Sequence, residues 1–209
     1  MLRAVLLLIL APGLCAAGPW LREEGSTYLS FSAELSGRLG TDAWISVYAE
    51  HGLSERLTVG LDAGGRHDGR AARALVFARL PIVAEGDWRV ASQIGIGATL
   101  DDDETVATVR PGLSVGRGLD VMAGGWAAAD LFADLTADGE TRVGLDAVLG
   151  LRPAEGRAWL LGLRASEDGV RLVPGYERAF GPAAVALSAV VDPEGDAPAA
   201  LALRTVFEF

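Results

Sequence analysis

The two histidines of the chain are the side chains around which a hydrolytic site would have to be built. His51 is followed closely by Ser54 and Glu55, which brings an imidazole, a hydroxyl and a carboxylate together. His67 lies beside Asp68 in a glycine-rich segment without a nearby serine or threonine. A catalytic nucleophile needs a base held against it. The first group falls in a predicted turn and the second has no nucleophile. We therefore predict that the chain is not an enzyme, and a lipid-modifying enzyme is the rival class.

Two other motifs lack the context that their chemistry requires. Residues 112–116 match the G-x-S-x-G pattern with Ser114 at the centre, but no strand–turn–helix arrangement surrounds them. The acidic run at 101–104 could hold Ca²⁺ or Mg²⁺. It lacks the longer spacing of a calcium loop, so we interpret it as a solvated turn. Neither histidine has the spacing of a metal ligand pair. We predict no metal site and no cofactor.

The composition excludes several classes of protein. The chain has 209 residues, 18 basic and 28 acidic side chains, and a formal net charge of −10. Because no basic run occurs, a nucleic-acid partner is not expected. Half of the residues are apolar, which argues against disorder. No apolar run of 18 residues or more follows the N-terminal segment, which argues against a helical membrane protein.

The first 17 residues have the features of a secretory signal peptide. Arg3 supplies the charge, an apolar run follows, and small residues precede Gly18. We therefore predict a signal peptide at 1–17 and a single barrel domain at 18–209. A membrane anchor and a lipoprotein signal at Cys15 are the alternatives, although Leu14 does not suit the latter. Cys15 is the one cysteine, so the predicted mature chain has no disulfide.

The remaining sequence alternates with period two between turn residues, which predicts strands. We predict twelve strands, and one miscounted hairpin would give ten or fourteen. Their approximate ranges are 26–36, 43–51, 55–64, 71–83, 88–100, 105–116, 121–136, 141–152, 157–166, 170–180, 183–191 and 198–209. An even number of antiparallel strands places both termini on the same side of the sheet. All the loops predicted on the opposite side are short, so none is expected to fold inward as a plug.

The two faces of these strands differ in polarity. Leu131, Leu145 and Leu203 lie on apolar faces, whereas the neighbouring Asp130 and Asp146 lie on charged ones. A soluble sandwich or lipocalin-type barrel would turn its apolar face inward. The apolar stretches instead match the roughly 9–11 residues that a tilted transmembrane strand needs. We predict an all-β fold, a closed antiparallel up-and-down transmembrane β-barrel, with these leucines toward lipid.

Aromatic residues and the C-terminus favour the bacterial outer membrane. Rings prefer the membrane–water interface, and four are predicted at one rim: Trp88, Trp159, Phe180 and Phe209. The final strand ends in Phe209, and a second phenylalanine, Phe207, stands two positions earlier. This ending resembles the C-terminal signal of bacterial outer-membrane barrels. The resemblance implies recognition by the barrel-insertion machinery, and we expect contact with outer-membrane lipid and lipopolysaccharide.

The interior of the barrel is the predicted functional site. The predicted lumen-lining residues are Glu34, Glu50, Asp62, Arg73, Arg79, Arg89, Arg110, Asp130, Asp134, Arg142, Asp146, Arg164, Arg171 and Arg204, together with Glu177. The first three strands supply acids and strands four to six supply arginines. Two interpretations follow: opposed charged walls around a wet pore, or ion pairs that fill the lumen as a structural network.

The segment 48–60, Tyr-Ala-Glu-His-Gly-Leu-Ser-Glu-Arg-Leu-Thr-Val-Gly, resembles the second hairpin of a group of proteobacterial barrels. That group includes proteins described as phenol-degradation meta-pathway transporter-like. This chain departs from the pattern at His51 and at 54–55. The resemblance implies passive transport of small compounds, hydrophobic ones included. We predict passive transport or binding of an unknown small solute, and a closed structural or interaction barrel is the alternative.

Overall fold

The strands are those expected from the alternation, and they form one sheet. The computed structural model describes residues 18–36, 42–101, 104–195 and 200–209. These ranges contain β1 Thr27–Ser36, β2 Asp42–Ser54, β3 Leu57–Arg66, β4 Ala71–Val83, β5 Trp88–Asp101, β6 Glu104–Leu119, β7 Gly125–Thr136, β8 Thr141–Ala154, β9 Arg157–Ser166, β10 Gly169–Phe180, β11 Ala183–Val190 and β12 Ala200–Glu208. The predicted signal peptide and the centre of the 101–104 acidic run lie outside these ranges. No helix within them is long and apolar enough to cross a membrane.

The sheet is a closed antiparallel barrel. Each strand pairs with its neighbours in sequence, and β1 also pairs with β12. Closure leaves no edge strand with unpaired backbone groups. The tight hairpins use glycine where the backbone turns left-handed, for example Gly139 at φ 92° and Gly156 at φ 69°. We call the end where β1 begins and β12 ends the terminal end, and the opposite one the distal end.

Three predicted strand boundaries are wrong by three residues or more. The second strand continues to Ser54 instead of ending at His51, so the predicted turn residues 52–54 lie in the sheet. The sixth strand continues to Leu119 instead of ending at residue 116. The seventh strand begins at Gly125 instead of residue 121. The preceding residues turn, since Met122 has φ 54° and the Gly124 N–H donates to the Val121 carbonyl at 2.8 Å. Met122 is the one described residue other than glycine with a positive φ, a conformation that L side chains rarely adopt.

The apolar faces point outward, as predicted. Leu131 and Leu203 are each 49% exposed, and Leu145 lies opposite Leu131 in the register of β7 and β8. The adjacent Asp130 and Asp146 also face each other, on the inner side. Because the apolar side chains are outside and the charges inside, this is not the core of a soluble barrel. The apolar outer face matches that of a membrane-spanning barrel.

The four predicted rim aromatics lie on the outer surface near the terminal end. Trp88 begins β5, Trp159 lies near the start of β9, Phe180 ends β10, and Phe209 follows β12. All are at least half exposed. The Phe209 backbone completes the closure, because its N–H donates to the Thr27 carbonyl at 3.0 Å and its carbonyl accepts from the Thr27 N–H at 2.7 Å.

Candidate functional site in the barrel lumen

A carboxylate that binds two arginines lies at the terminal end of the lumen. The Glu50 side chain is 1% exposed. It accepts from Arg22 Nε at 2.5 Å, from Arg79 Nη1 at 2.5 Å and from the Tyr48 hydroxyl at 2.6 Å. Arg79 also donates to Gln93 Oε1 at 2.8 Å. Charge-assisted hydrogen bonds of this kind are strong in a low-dielectric interior. This cluster therefore fixes the positions of β2, β4 and β5 around one buried charge.

A second cluster lies deeper, toward the distal end. Arg110 donates to both carboxylate oxygens of Asp134, at 2.6 Å from Nε and 2.5 Å from Nη2. Its Nη1 also lies 3.3 Å from Asp62, which accepts from Arg73 at 2.8 Å. The Arg110 guanidinium stacks over Phe132 at 4.6 Å. A bidentate Arg–carboxylate pair adds geometric specificity to its energy. Arg110 thus links acids on β3 and β7 across three intervening strands.

The remaining acid–base pairs inside the barrel also join different strands. Arg164 on β9 donates to Glu34 on β1 at 2.7 Å, and Arg204 on β12 donates to Glu177 on β10 at 3.2 Å. The sequence leaves opposed charged walls and paired charges as alternatives. The arginines of β4 and β6 are paired, because acids on β2, β3 and β7 reach them. The charges therefore form a network of ion pairs and not two separate walls.

Three residues of the predicted lumen set lie near the barrel ends. Arg89 donates to the carbonyls of Gly86 and Trp88 at 2.7 and 2.9 Å, so it binds turn backbone at the terminal end. Arg142 is paired with exposed acids of the distal turns, at 3.0 Å from Glu140. Arg171 is exposed and lies opposite Arg164 in the register of β9 and β10. Arg89 therefore does not belong to the cluster around Arg110.

Aromatic side chains that the sequence analysis did not assign to the lumen fill part of it. The Phe77 ring covers Gly60 on the adjacent strand so closely that a Cβ there would lie 2.3 Å from Cζ. Arg79 stacks on the same ring at 5.4 Å. The same order of glycine, ring and arginine occurs twice more, at Gly144, Phe132 and Arg110 and at Gly150, Trp126 and Arg152. These glycines leave the space that a ring needs to lie flat on the sheet.

The N-terminal residues 18–26, which we call the N-terminal strap, also enter the barrel. The Arg22 N–H donates to Thr58 Oγ1 at 2.9 Å, besides the bonds from its side chain. Pro19 is fully buried. Sequence reasoning missed this segment because it precedes the first alternating strand and has no period. The presence of Trp20, Leu21 and Arg22 between a predicted cleavage site and the first strand was the one available signal.

None of the candidate catalytic groups is assembled. His51 Nδ1 lies 2.9 Å from Thr27 Oγ1, and the Ser54 hydroxyl accepts from the Arg56 N–H at 3.3 Å. Asp68 binds Arg66 at 2.9 Å, and the Arg70 N–H lowers the pKa of its carboxyl by donating to it. Ser114 donates to Asp130 inside the lumen. Within the described ranges no three metal-ligating side chains come together.

The fold is shared with solved outer-membrane porins. A structure described as KdgM porin has a TM-score of 0.65 and 7% identity, and the match covers 87% of this chain and 99% of that one. The same values hold for KdgM porin in complex with disordered oligogalacturonate. NanC porin gives 0.59 and 10%, with coverage of 86% and 98%. At these identities the similarity establishes the fold. No family model matches the sequence, and no curated protein matches it.

Proposed function

We propose that this chain is an outer-membrane channel for the passive passage of a small polar or charged solute. The observation that carries the proposal is the partial exposure of an arginine side chain at mid-depth in the lumen. Arg204 lies in the middle of β12, faces inward, and its side chain is 37% exposed. The lumen thus leaves room for water beside an arginine in the middle of its strand, whereas a structural barrel with a packed interior would bury it. The porin fold supports the same function.

The polarity of the lumen also bears on the class of solute. The resemblance of the second hairpin to transporter-like barrels implies the transport of small compounds, hydrophobic ones included. The lumen of this chain is lined by arginine–carboxylate pairs at several depths, and hydrophobic solutes gain little from such a surface. The proposal is therefore limited to polar and charged solutes. The inward Ser114 donates to Asp130 and so belongs to the polar lining of the proposed channel.

The direct test is electrical. We expect the purified, refolded barrel to give discrete conductance steps in planar lipid bilayers, because a wet charged lumen passes ions. The measurement should include a variant that lacks residues 19–25, since the N-terminal strap occupies the terminal end. Heat-dependent mobility on a gel verifies that both proteins are folded. Silence of both folded proteins would overturn the transport function and favour the closed structural barrel.

The proposed location is the bacterial outer membrane, with the terminal end in the periplasm. The exposed Phe209 is the residue that the insertion machinery would recognise, because its backbone closes the β1–β12 seam while its ring stays free. Phe209→Asp is expected to reduce the membrane-inserted, heat-modifiable protein several-fold in cells. Phe180→Asp makes the same change at an exposed aromatic of the same rim, outside the C-terminal signal, and serves as the control. Normal insertion of the Phe209→Asp protein would contradict this assignment.

A further inference from the structure

We propose that the N-terminal strap, residues 18–26, is a gate that closes the terminal mouth of the barrel and must move for solute to pass. This inference rests on the proposed transport function and adds its regulation. From the sequence, the loops on the side opposite the termini are the possible plugs, and none of them is expected to fold inward. The element that enters is instead the chain that precedes β1.

The strap crosses the full width of the barrel. It leaves the wall at Thr27 on β1 and passes Gly52 of β2, where the Gly25 N–H donates to the Gly52 carbonyl at 2.8 Å. Its other end reaches the wall formed by β6 and β7. A Cβ on Gly116 would lie 2.6 Å from Pro19 Cγ, and one on Gly18 would lie 3.5 Å from the Ala128 Cβ. In a closed ring of twelve strands, β7 lies opposite β1. Nine residues can reach about 30 Å when extended, which suffices for this crossing.

The strap is packed into the lumen and not laid over it. Pro19 is fully buried and Arg22 is 7% exposed. The contacts of Pro19 and Trp20 with Gly116 depend on the missing side chain at that position, because a Cβ there would lie 2.7 Å from the Trp20 ring. A barrel that simply tethered its N-terminus would not need residues buried inside its terminal end. The packing therefore closes the terminal mouth in this conformation.

The contacts that hold the strap can be broken without disrupting the barrel wall. It adds no strand to the sheet, and its one ladder contact is an isolated bridge between Glu24 and Gly52. Its charged anchors are the bonds of Arg22 to Glu50 and, at 3.2 Å, to the partly exposed Glu208. The Glu50 carboxylate also binds Arg79 and Tyr48. When Arg22 leaves with the strap, Glu50 keeps Arg79 and Tyr48 as partners. The departure of the strap therefore does not leave a buried charge unpaired. The wall thus stays intact whether the strap is in or out.

Removal of the predicted signal peptide would strengthen the closed state. Cleavage before Gly18 creates an α-ammonium group next to Asp130, because a Cβ on Gly18 would lie 3.5 Å from Asp130 Oδ2. Asp130 already accepts from Ser114. Gly18 has φ 125°, and this torsion ceases to be a constraint once no carbonyl precedes it. The new terminus would therefore add a charged anchor on the far wall.

A reversible cross-link tests the gate. The Gly18→Cys, Ala128→Cys variant places two Cβ atoms about 3.5 Å apart, within the range of a disulfide. The single cysteine of the natural chain lies in the predicted signal peptide, so no other thiol competes in the mature protein. We expect the oxidised variant to show at least a tenfold lower open probability in bilayers than the same protein after reduction. The Gly18→Cys variant alone serves as the control, and its conductance should not respond to reductant.

Different results of these experiments would overturn the proposed gate and the proposed transport function. Equal conductance of the oxidised and reduced double variant, with the disulfide verified by mass, would overturn the gate and leave the channel standing. Failure of the two cysteines to cross-link would contradict the position of the strap and equally overturn the gate. Silence of both folded proteins, the full-length barrel and the variant that lacks residues 19–25, would instead overturn transport itself.

Discussion

Glu50→Gln is expected to lower the free energy of unfolding of the barrel by about 3–5 kcal/mol, the usual cost of removing one partner from a buried ion pair. Glutamine has nearly the same shape but carries no charge. Arg22 and Arg79 would then share one neutral oxygen, although each is less than 10% exposed. Tyr48 would also lose the carboxylate to which it donates at 2.6 Å. Urea titration of the refolded barrel in lipid vesicles measures the change.

Glu34→Gln provides the matched control for this variant. Glu34 binds Arg164 at 2.7 Å, but the Arg164 side chain is 46% exposed to water. Exposed ion pairs typically contribute at most about 1 kcal/mol, so we expect a correspondingly small loss. Both substitutions remove one negative charge, but Glu50 is buried between two arginines and a tyrosine, whereas Glu34 binds one half-exposed arginine. Equal losses of stability for the two variants would show that Glu50 is not a buried anchor.

Most of the fold could be predicted because alternation is a local property. The polar and apolar positions along β7 and β12 indicate their two faces without any knowledge of the neighbouring strands. Turn residues such as Gly139 and Gly156 mark where each hairpin reverses. The boundary errors arose where this signal fades. Residues 52–54 continue β2 without a polar–apolar pattern, and residues 121–124 are apolar but form a turn.

The partners within the lumen could not be predicted in the same way. Alternation tells which side chains point inward. It gives neither their depth along the barrel axis nor the distance that each side chain extends across the lumen. Arg89 and Arg110 share an inward face in the sequence pattern, yet Arg89 binds turn carbonyls and Arg110 binds two carboxylates. The Glu34–Arg164 pair joins residues 130 positions apart. Such a contact depends on the closure of the ring and on the stagger of its strands.

The glycines show the same difference between what the sequence pattern reveals and what only the structure reveals. The chain has 27 glycines, and those in hairpins are recognisable from adjacent turn residues. Gly60 and Gly144 lie inside strands, where glycine normally weakens the sheet. Their role becomes clear only when the facing rings are seen, since Phe77 and Phe132 occupy the space above them. A sequence pattern of period two marks these positions as inward but cannot show what covers them.

Arg110→Ala is expected to change both stability and ion selectivity, and Arg89→Ala neither. Arg110 is 6% exposed and binds Asp134 through two hydrogen bonds. Its removal leaves a largely buried carboxylate without this partner, which should cost about 3 kcal/mol. Asp62 keeps Arg73 at 2.8 Å, which limits the loss to one side of the cluster. Unfolding in urea measures the stability, and reversal potential in a salt gradient measures the selectivity.

The two arginines make a matched pair because each substitution removes one positive charge from the same protein. Arg89 binds backbone carbonyls at the terminal end, so its loss should cost less than about 1 kcal/mol. A lumen that lacks Arg110 keeps an excess of carboxylate at mid-depth, and fixed negative charge near a narrow path favours cations. The reversal potential should therefore shift toward cation selectivity for Arg110→Ala and stay unchanged for Arg89→Ala. If the two variants shifted it equally, net charge and not the Arg110 cluster would control the passage of ions. A loss of stability in Arg110→Ala without any shift would assign the cluster to holding the wall together and not to the path of the solute.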